Sequence, residues 1–351
     1  MISRRDRHYR RRHRAAWFRW LAWSAVGLIT LFTIVELART SPSLLSRLDG
    51  SASTKPSATA KADKPARDPA QLKLHVVGAY TSQNVTAAVV GVGDRYLTAD
   101  ESGTVRVPDL LAGVVKVTAR APGHEVFSDR IVLSAGENDE TITLSPAVIL
   151  SGAAVSTATP AYLTIDDGPH PDHTPRVLEI LREEGVKATF FVVGRRAEAN
   201  PDLVRRIYLE GHELGNHTYS HDSDVLYRGS ARDYVRSLGK GGEVLRKIVG
   251  FDPALTRPPG GEAGNFHAGW RGTVRAAGYE TMLWNVSSGD GTETTGDRML
   301  ANVRDYLDRL GPRDEPIILT HDVRPTIIEA LPDLIAEVRR RGYEFVTSAR
   351  R

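Results

Sequence analysis

The second half of the chain alternates short apolar segments with amphipathic segments of helical period, and this alternation restricts the fold more than any other feature. Apolar runs typical of buried strands occur at residues 162–165, 188–193, 280–284, 317–320 and 343–346. Segments of helical period begin near Thr174, Pro201, Ser230 and Ile327. Repeated βα units predict an α/β fold with parallel strands, in a barrel or a doubly wound sheet, and chemistry where strands end in loops.

Two motifs at predicted strand ends are suited to binding a metal. Asp166 and Asp167 are adjacent where a strand enters a Gly-Pro turn, so both could serve one site only if the strand ends there. His217 and His221 are four residues apart, which puts both rings on one side of a helical turn or a tight loop. Two histidines and one carboxylate leave positions for water and substrate, as in catalytic zinc sites. Each motif taken singly has an alternative interpretation. The two aspartates could belong to a solvated turn, and the two histidines could be structural.

Three further polar groups follow later predicted strands. Arg257 precedes a Pro-Pro-Gly-Gly loop, Asp290 ends the segment 284–290, and His321 follows an apolar strand. Each also fits an ordinary loop, and their order and joint presence favour one site. The chain has no cysteine, which excludes disulfides, thiol nucleophiles and cysteine-ligated zinc. Any metal must therefore be held by His, Asp or Glu.

In this order, the five motifs resemble those of the NodB-homology polysaccharide deacetylases, carbohydrate esterase family 4, over residues 160–351. The resemblance implies a distorted (β/α) barrel with an open groove. It implies hydrolysis of acetamide groups on N-acetylglucosamine-containing polysaccharide, whether peptidoglycan, a chitin-like polymer or poly-N-acetylglucosamine. It also implies that Asp167, His217 and His221 bind a divalent metal, expected to be Zn²⁺, with other divalent transition metals as alternatives.

The resemblance implies roles for five further positions. Asp166 would be the general base, oriented by Arg257. His321 would be the general acid, supported by Asp290. The backbone N–H of Gly260 would stabilise the oxyanion. An amine leaves poorly unless it is protonated, which agrees with an acid at His321.

The chain departs from the family pattern at three positions. Ser287 replaces a usual Asp, Gly291 replaces a usual Trp that walls the sugar groove, and Gly260 replaces a frequent aromatic residue. The loss of two walls predicts a more open groove. This leaves the identity of the glycan open, while the catalytic positions all match.

Residues 72–150 contain short alternating apolar runs separated by turn residues, a pattern that predicts a small all-β sandwich. The segments 98–103 and 121–124 resemble those of carboxypeptidase-regulatory-like sandwich modules. His75 and His124 are lone histidines, and we expect them to be structural. The sandwich would act as a spacer or as a wall-binding module.

The N-terminal region predicts one membrane-spanning helix. Residues 20–38 form an apolar run of nearly membrane-spanning length, preceded by a basic arm at 1–19 that carries a net charge of +7. The arm predicts a cytoplasmic N-terminus and an extracytoplasmic catalytic domain in a single-pass membrane protein. A cleaved signal peptide is the alternative, but residues 35–39 lack the small residues of a cleavage site. Residues 39–71, rich in Ser, Ala, Pro, Lys and Asp, predict a flexible linker.

The net charge of +3 leaves −4 outside the arm, so the folded part has no basic excess for phosphates, and we expect no nucleic-acid partner. The expected partners are the polysaccharide and the membrane. Two other functions remain open: a non-catalytic glycan-binding envelope protein, and an O-acetyl esterase on the same fold. The sequence does not indicate an oligomeric state.

Overall fold

The structure of the chain is a computed structural model that describes residues 68–147, 158–262, 266, 268–292 and 294–348. Within these ranges no helix is long and apolar enough to cross a membrane. The predicted arm (1–19), the predicted anchor (20–38) and most of the predicted linker (39–71) lie outside them. The described ranges all belong to one compact unit, Pro65–Arg351.

Seven strands form two sheets around one apolar core, and we call this part the N-terminal β module. The strands are β1 (Pro69–Gly78), β2 (Val89–Val92), β3 (Arg95–Thr98), β4 (Thr104–Leu111), β5 (Gly113–Arg120), β6 (Phe127–Leu133) and β7 (Gly136–Leu144). The sheet orders are β4-β1-β7 and β3-β2-β5-β6. The alternation in β1 buries Leu72, Leu74 and Val76 between more exposed neighbours, as expected for a strand with one buried face. β1 begins before the predicted linker ends, because Ala70 is already buried and pairs with Leu110.

The remaining strands form a single parallel sheet. They are β8 (Thr159–Asp166), β9 (Thr189–Val192), β10 (Glu213–Asn216), β11 (Leu255–Thr256), β12 (Glu280–Thr281), β13 (Val286–Ser287), β14 (Ile317–His321) and β15 (Tyr343–Phe345). The sheet order is β12-β11-β10-β9-β8-β14-β13, and β15 pairs with β8. Because β12 and β13 are its two edges, the sheet is a half-barrel, which agrees with the predicted distorted (β/α) fold.

Helices cover the outer face of this sheet with their apolar sides. They are α1 (His173–Glu183), α2 (Gly194–Ala199), α3 (Pro201–Leu209), α4 (Ser223–Arg228), α5 (Ala231–Val249), α6 (Arg271–Ala276), α7 (Gly296–Arg309) and α8 (Thr326–Arg340), with a 3₁₀ turn at Ala268–Trp270. Pro201 begins α3 as predicted. Ser230 and Asp233 form a capping box for α5, and Gly250 ends that helix at φ +86°.

The predicted strand at 280–284 was wrong beyond its first two residues. β12 ends at Thr281, and the next carbonyl oxygens do not continue the ladder. The Nε of Arg257 donates to the carbonyl oxygen of Met282 at 3.0 Å, and its Nη2 donates to that of Leu283 at 3.3 Å. The ladder stops here because the residue on β11's side that would donate to the Met282 carbonyl is Pro258, which has no N–H, and the buried guanidinium satisfies both carbonyl oxygens instead.

The N-terminal β module packs against α3. Nη1 of Arg120 on β5 donates to the carbonyl oxygens of Tyr208 at 2.6 Å and His212 at 3.1 Å. Its guanidinium also lies 4.3 Å from the centroid of the Tyr208 ring. Val89 on β2 is fully buried within the apolar cluster of the α/β part. The module therefore contacts and stabilises the segment that leads from α3 into β10.

Candidate metal centre and active site

The two adjacent aspartates lie at the point where β8 ends. Asp166 is the last residue of the strand and is 2% exposed. Asp167 adopts φ +75°, a left-handed conformation that ends the extended backbone. This break removes the strict alternation of side chains and lets both carboxylates face one site.

The two histidines lie in a tight loop after β10. Thr218 at φ +66° and His221 at φ +55° bend the backbone, so the ring centroids of His217 and His221 are 4.7 Å apart. Nδ1 of His217 lies 2.7 Å from the carbonyl oxygen of Arg257. A carbonyl can only accept, so Nδ1 is the donor, and the lone pair of Nε2 is available to a metal.

Asp167, His217 and His221 converge on one point. Oδ1 of Asp167 lies 3.3 Å from Nε2 of His217 and 3.0 Å from Nε2 of His221. One ligand atom from each residue lies within 4.8 Å of the others. Burial raises the pKa of Asp167, but the two imidazoles lower it well below its usual range overall, so the carboxylate is ionised at neutral pH.

These three residues fit a divalent cation. Oδ1 of Asp167 is buried and has no hydrogen-bond partner in the described part of the chain. A buried oxygen without a partner is costly, and a cation between it and the imidazole nitrogens would satisfy it. Ligands roughly 2.0 Å from a tetrahedral zinc ion lie roughly 3.3 Å from one another, close to the separations observed here.

Arg257 holds Asp166 in a buried ion pair. Its side chain is fully buried, and Nη1 donates to Oδ1 of Asp166 at 2.9 Å and to the hydroxyl of Thr164 at 2.7 Å. The guanidinium also lies 4.2 Å from the centroid of the Phe191 ring. Its position is therefore fixed on several sides, and Oδ2 of Asp166 lies 3.7 Å from Nε2 of His217, beside the candidate metal site.

His321 and Asp290 form a second pair beside Asp166. His321 ends β14 and is in register with Asp166 on the adjacent strand. Oδ1 of Asp290 lies 2.8 Å from Nδ1 of His321, and Oδ2 accepts from the His321 backbone N–H at 2.8 Å. Burial lowers the pKa of His321, but the hydrogen bond and charge of Asp290 outweigh it and raise the pKa to about 9. An imidazolium is therefore present at neutral pH.

Glycines border the site at two of the positions where the chain departs from the family pattern. A Cβ built on Gly260 would meet no atom of the described residues within 4 Å, and one built on Gly291 would lie 3.6 Å from Cε1 of His321. Each position therefore has room above it, as expected for an open groove. Gly260 itself adopts φ +71°.

The eight residues singled out from the sequence all lie at the carboxyl ends of β8, β10, β11, β13 and β14 or in the loops that follow. Thr164 was not predicted as a site residue, although it shares a strand face with Asp166 two residues later. The sequence also suggested no function for Asp322, which is fully buried and accepts from the Thr174 hydroxyl. Burial raises the pKa of Asp322 to about 7. His212 accepts from the Ala188 N–H at 3.2 Å, and burial lowers its pKa to about 3.

Comparison with known proteins relates this chain to the polysaccharide deacetylases. The family profile described as polysaccharide deacetylase matches residues 155–282. Two peptidoglycan-N-acetylglucosamine deacetylases of Bacillus cereus are 35% and 33% identical to this chain. Each match covers 53% of this chain, and the matches cover 84% and 67% of the relatives' own lengths, respectively. A peptidoglycan-N-acetylmuramic acid deacetylase of Bacillus subtilis is 29% identical over 66% of this chain and 43% of its own length.

Proposed function

Because the chain belongs to the polysaccharide deacetylase family, we propose that it removes acetyl groups from N-acetylglucosamine residues of peptidoglycan in a metal-dependent reaction. It is an enzyme, a hydrolase that acts on the carbon–nitrogen bonds of linear amides. The single observation that best supports the metal dependence is the buried Oδ1 of Asp167, which has no hydrogen bond within the described residues and lies 3.0–3.3 Å from two imidazole nitrogens.

We propose that Asp167, His217 and His221 hold the cation. When bound, a divalent ion supplies Lewis acidity that polarises the acetamide carbonyl and a water molecule. Zinc suits two imidazoles and one carboxylate, and it is the ion that we propose. The burial of His217 and the hydrogen bond from its Nδ1 to Arg257 keep Nε2 aimed at the site.

Asp166 is the proposed general base. Its carboxylate is held by Arg257 and takes a proton from the attacking water, so the water oxygen forms a bond to the acetyl carbon. The backbone N–H of Gly260 is the proposed donor to the oxygen that becomes negatively charged. Because Arg257 is fixed by four hydrogen bonds, the carboxylate does not need to reorient during this step.

His321 is the proposed general acid. Its imidazolium donates a proton to the sugar nitrogen as the carbon–nitrogen bond breaks, which releases acetate and a free amine. Asp290 holds the ring through Nδ1 and favours the charged form. An ester would leave as an alkoxide and depends less on such an acid, so this pair favours an amide over an O-acetyl ester.

Peptidoglycan is proposed because it is the substrate named for the two Bacillus cereus relatives. The test is acetate release by the purified protein from peptidoglycan, N-acetylglucosamine oligomers and an O-acetylated glycan. We expect release from the N-acetylated substrates and little from the O-acetylated one. Faster release from the O-acetylated glycan would favour the esterase, and binding without any release would favour a non-catalytic glycan-binding protein.

We further propose that the chain acts outside the cytoplasm, tethered by the predicted anchor at residues 20–38 with the basic arm on the cytoplasmic side. The charge-free apolar residues 20–35 and the arginines that precede them support this. The N-terminal β module would be a carboxypeptidase-regulatory-like spacer. Its packing against α3 supports a role in stabilising the α/β part of the chain. None of the proposed catalytic residues lies in this module.

Replacing Asp290 with asparagine should move the alkaline limit of activity to lower pH. The pKa of His321 is raised to about 9, so the acidic form is available below that value and is lost as the pH rises through it. Loss of the carboxylate charge should shift this limit downward by roughly one to three pH units. The measurement is the pH dependence of kcat/KM, with the exposed Asp305→Asn as a charge-matched control. Identical alkaline limits in Asp290→Asn and wild type would contradict the assignment of His321 as the acid.

A further inference from the structure

The loop after β11 contains a tight turn that orients one peptide group beside the proposed active site. The Gly261 N–H donates to the carbonyl oxygen of Pro258 at 2.9 Å, and Gly260 adopts φ +71°. These are the marks of a type II β-turn, whose third residue needs a positive φ. Type I and type II turns differ mainly by a flip of the central peptide, here the one between Pro259 and Gly260.

Glycine at position 260 makes this flip easy. Glycine adopts positive and negative φ about equally well, so the turn itself does not fix which way the central peptide faces. Among the described residues, no side chain comes within 4 Å of a Cβ built on Gly260, so none of them restrains the turn there. A contact from outside the turn is therefore needed to hold one orientation.

Tyr227 provides such a contact. Its hydroxyl donates to the carbonyl oxygen of Pro259 at 2.7 Å. Tyr227 lies on α4, which begins two residues after His221, and its ring is 6.1 Å from that of Trp270 and 6.5 Å from that of Phe266. Burial raises the pKa of Tyr227 above its ordinary value, so the hydroxyl keeps its proton.

We propose that Tyr227 is a positioning residue that fixes the orientation of the Pro259–Gly260 peptide. The carbonyl and N–H of a trans peptide point in opposite directions, so a hydroxyl that holds the carbonyl on one side presents the Gly260 N–H on the other. The hydrogen bond also polarises the amide and strengthens its N–H as a donor. The inference rests on the proposed function, in which this N–H stabilises the oxyanion.

The same aromatic cluster contains a matched control. The Tyr234 ring is 6.1 Å from that of Tyr227, and both pack against Phe266. The Tyr234 hydroxyl is buried but has no hydrogen-bond partner among the described residues. Tyr227→Phe and Tyr234→Phe therefore remove the same group from the same cluster, and only the first removes a bond to the turn.

The experiment compares these variants in the full chain with N-acetylglucosamine oligomers as substrate. We expect Tyr227→Phe to lower kcat roughly 10- to 100-fold, below the loss from removing an oxyanion donor outright, with KM and metal content unchanged. Tyr234→Phe should stay close to wild type. The ¹⁵N resonance of Gly260 in glycine-labelled protein should shift in Tyr227→Phe only, because that nucleus follows the hydrogen-bonded carbonyl.

Wild-type kcat in Tyr227→Phe would overturn the inference while leaving the proposed function intact. A loss of kcat accompanied by loss of metal, or an equal loss of kcat in Tyr234→Phe, would overturn it as well, since Tyr227 would then be merely structural. An unshifted Gly260 resonance would overturn it even if the wild type released no acetate. A shifted resonance without any acetate release would instead count against the proposed function and leave the orientation of the turn supported.

Discussion

Replacing His217 with alanine is expected to abolish metal binding at the site and to lower kcat/KM for acetate release by about 10³-fold or more. His217 is 2% exposed, and its Nε2 lies 3.3 Å from Oδ1 of Asp167, so the substitution removes one of the three proposed ligands from a buried position. Lewis acidity contributes several kcal/mol to hydrolysis, and each 1.36 kcal/mol is a factor of ten in rate.

The measurement pairs metal analysis of the purified variant with its acetate release. His124→Ala is the matched control, because His124 lies in the N-terminal β module, where its Nδ1 is 2.9 Å from the local carbonyl oxygen of Pro122. This control should retain both metal and activity. One equivalent of tightly bound metal in His217→Ala would show that the ion binds elsewhere.

Replacing Asp166 with asparagine should separate chemistry from metal binding. Asparagine has nearly the same shape and can still accept from Arg257, but it cannot take a proton from water, so kcat should fall by roughly 10²- to 10⁴-fold. Metal content should remain at the wild-type level, because Asp167 and the two histidines are unchanged. The buried Arg257 also loses its counter-charge, which should reduce the free energy of unfolding by up to about 3–5 kcal/mol.

Acetate release is therefore normalised to folded protein, measured by thermal unfolding and circular dichroism. Asp172→Asn is the control, since Asp172 is exposed and lies in the loop that follows the same strand. It should leave kcat unchanged. Wild-type turnover in Asp166→Asn would remove Asp166 from the role of base.

The sequence predicted the parts of the site that depend on strand ends. Asp166 and His321 each follow an apolar run, and parallel strands deliver their carboxyl ends to one edge of a sheet. The pairing of Asp290 with His321 was expected only from the family resemblance. In the structure it depends on the register of β13 against β14, which sequence alone does not determine.

Other features could not be predicted because they arise from tertiary contacts. The left-handed backbone of Asp167 and Thr218 has no glycine to signal it. The hydrogen bond from the guanidinium of Arg257 to the carbonyl oxygen of Met282 joins residues that are 25 positions apart in sequence. The bond from Tyr227 to Pro259 joins a helix to a loop 32 residues later. The anchor at 20–38 lies outside the described residues and stays a prediction.

The most direct test is a metal titration of the chelator-treated full chain, with acetate release followed in the same samples. The proposed site predicts no release without metal, and a rate that rises with added Zn²⁺ and levels off at one equivalent per chain. Release at the full rate from the metal-free chain would contradict the proposal that Asp167, His217 and His221 bind a catalytic ion.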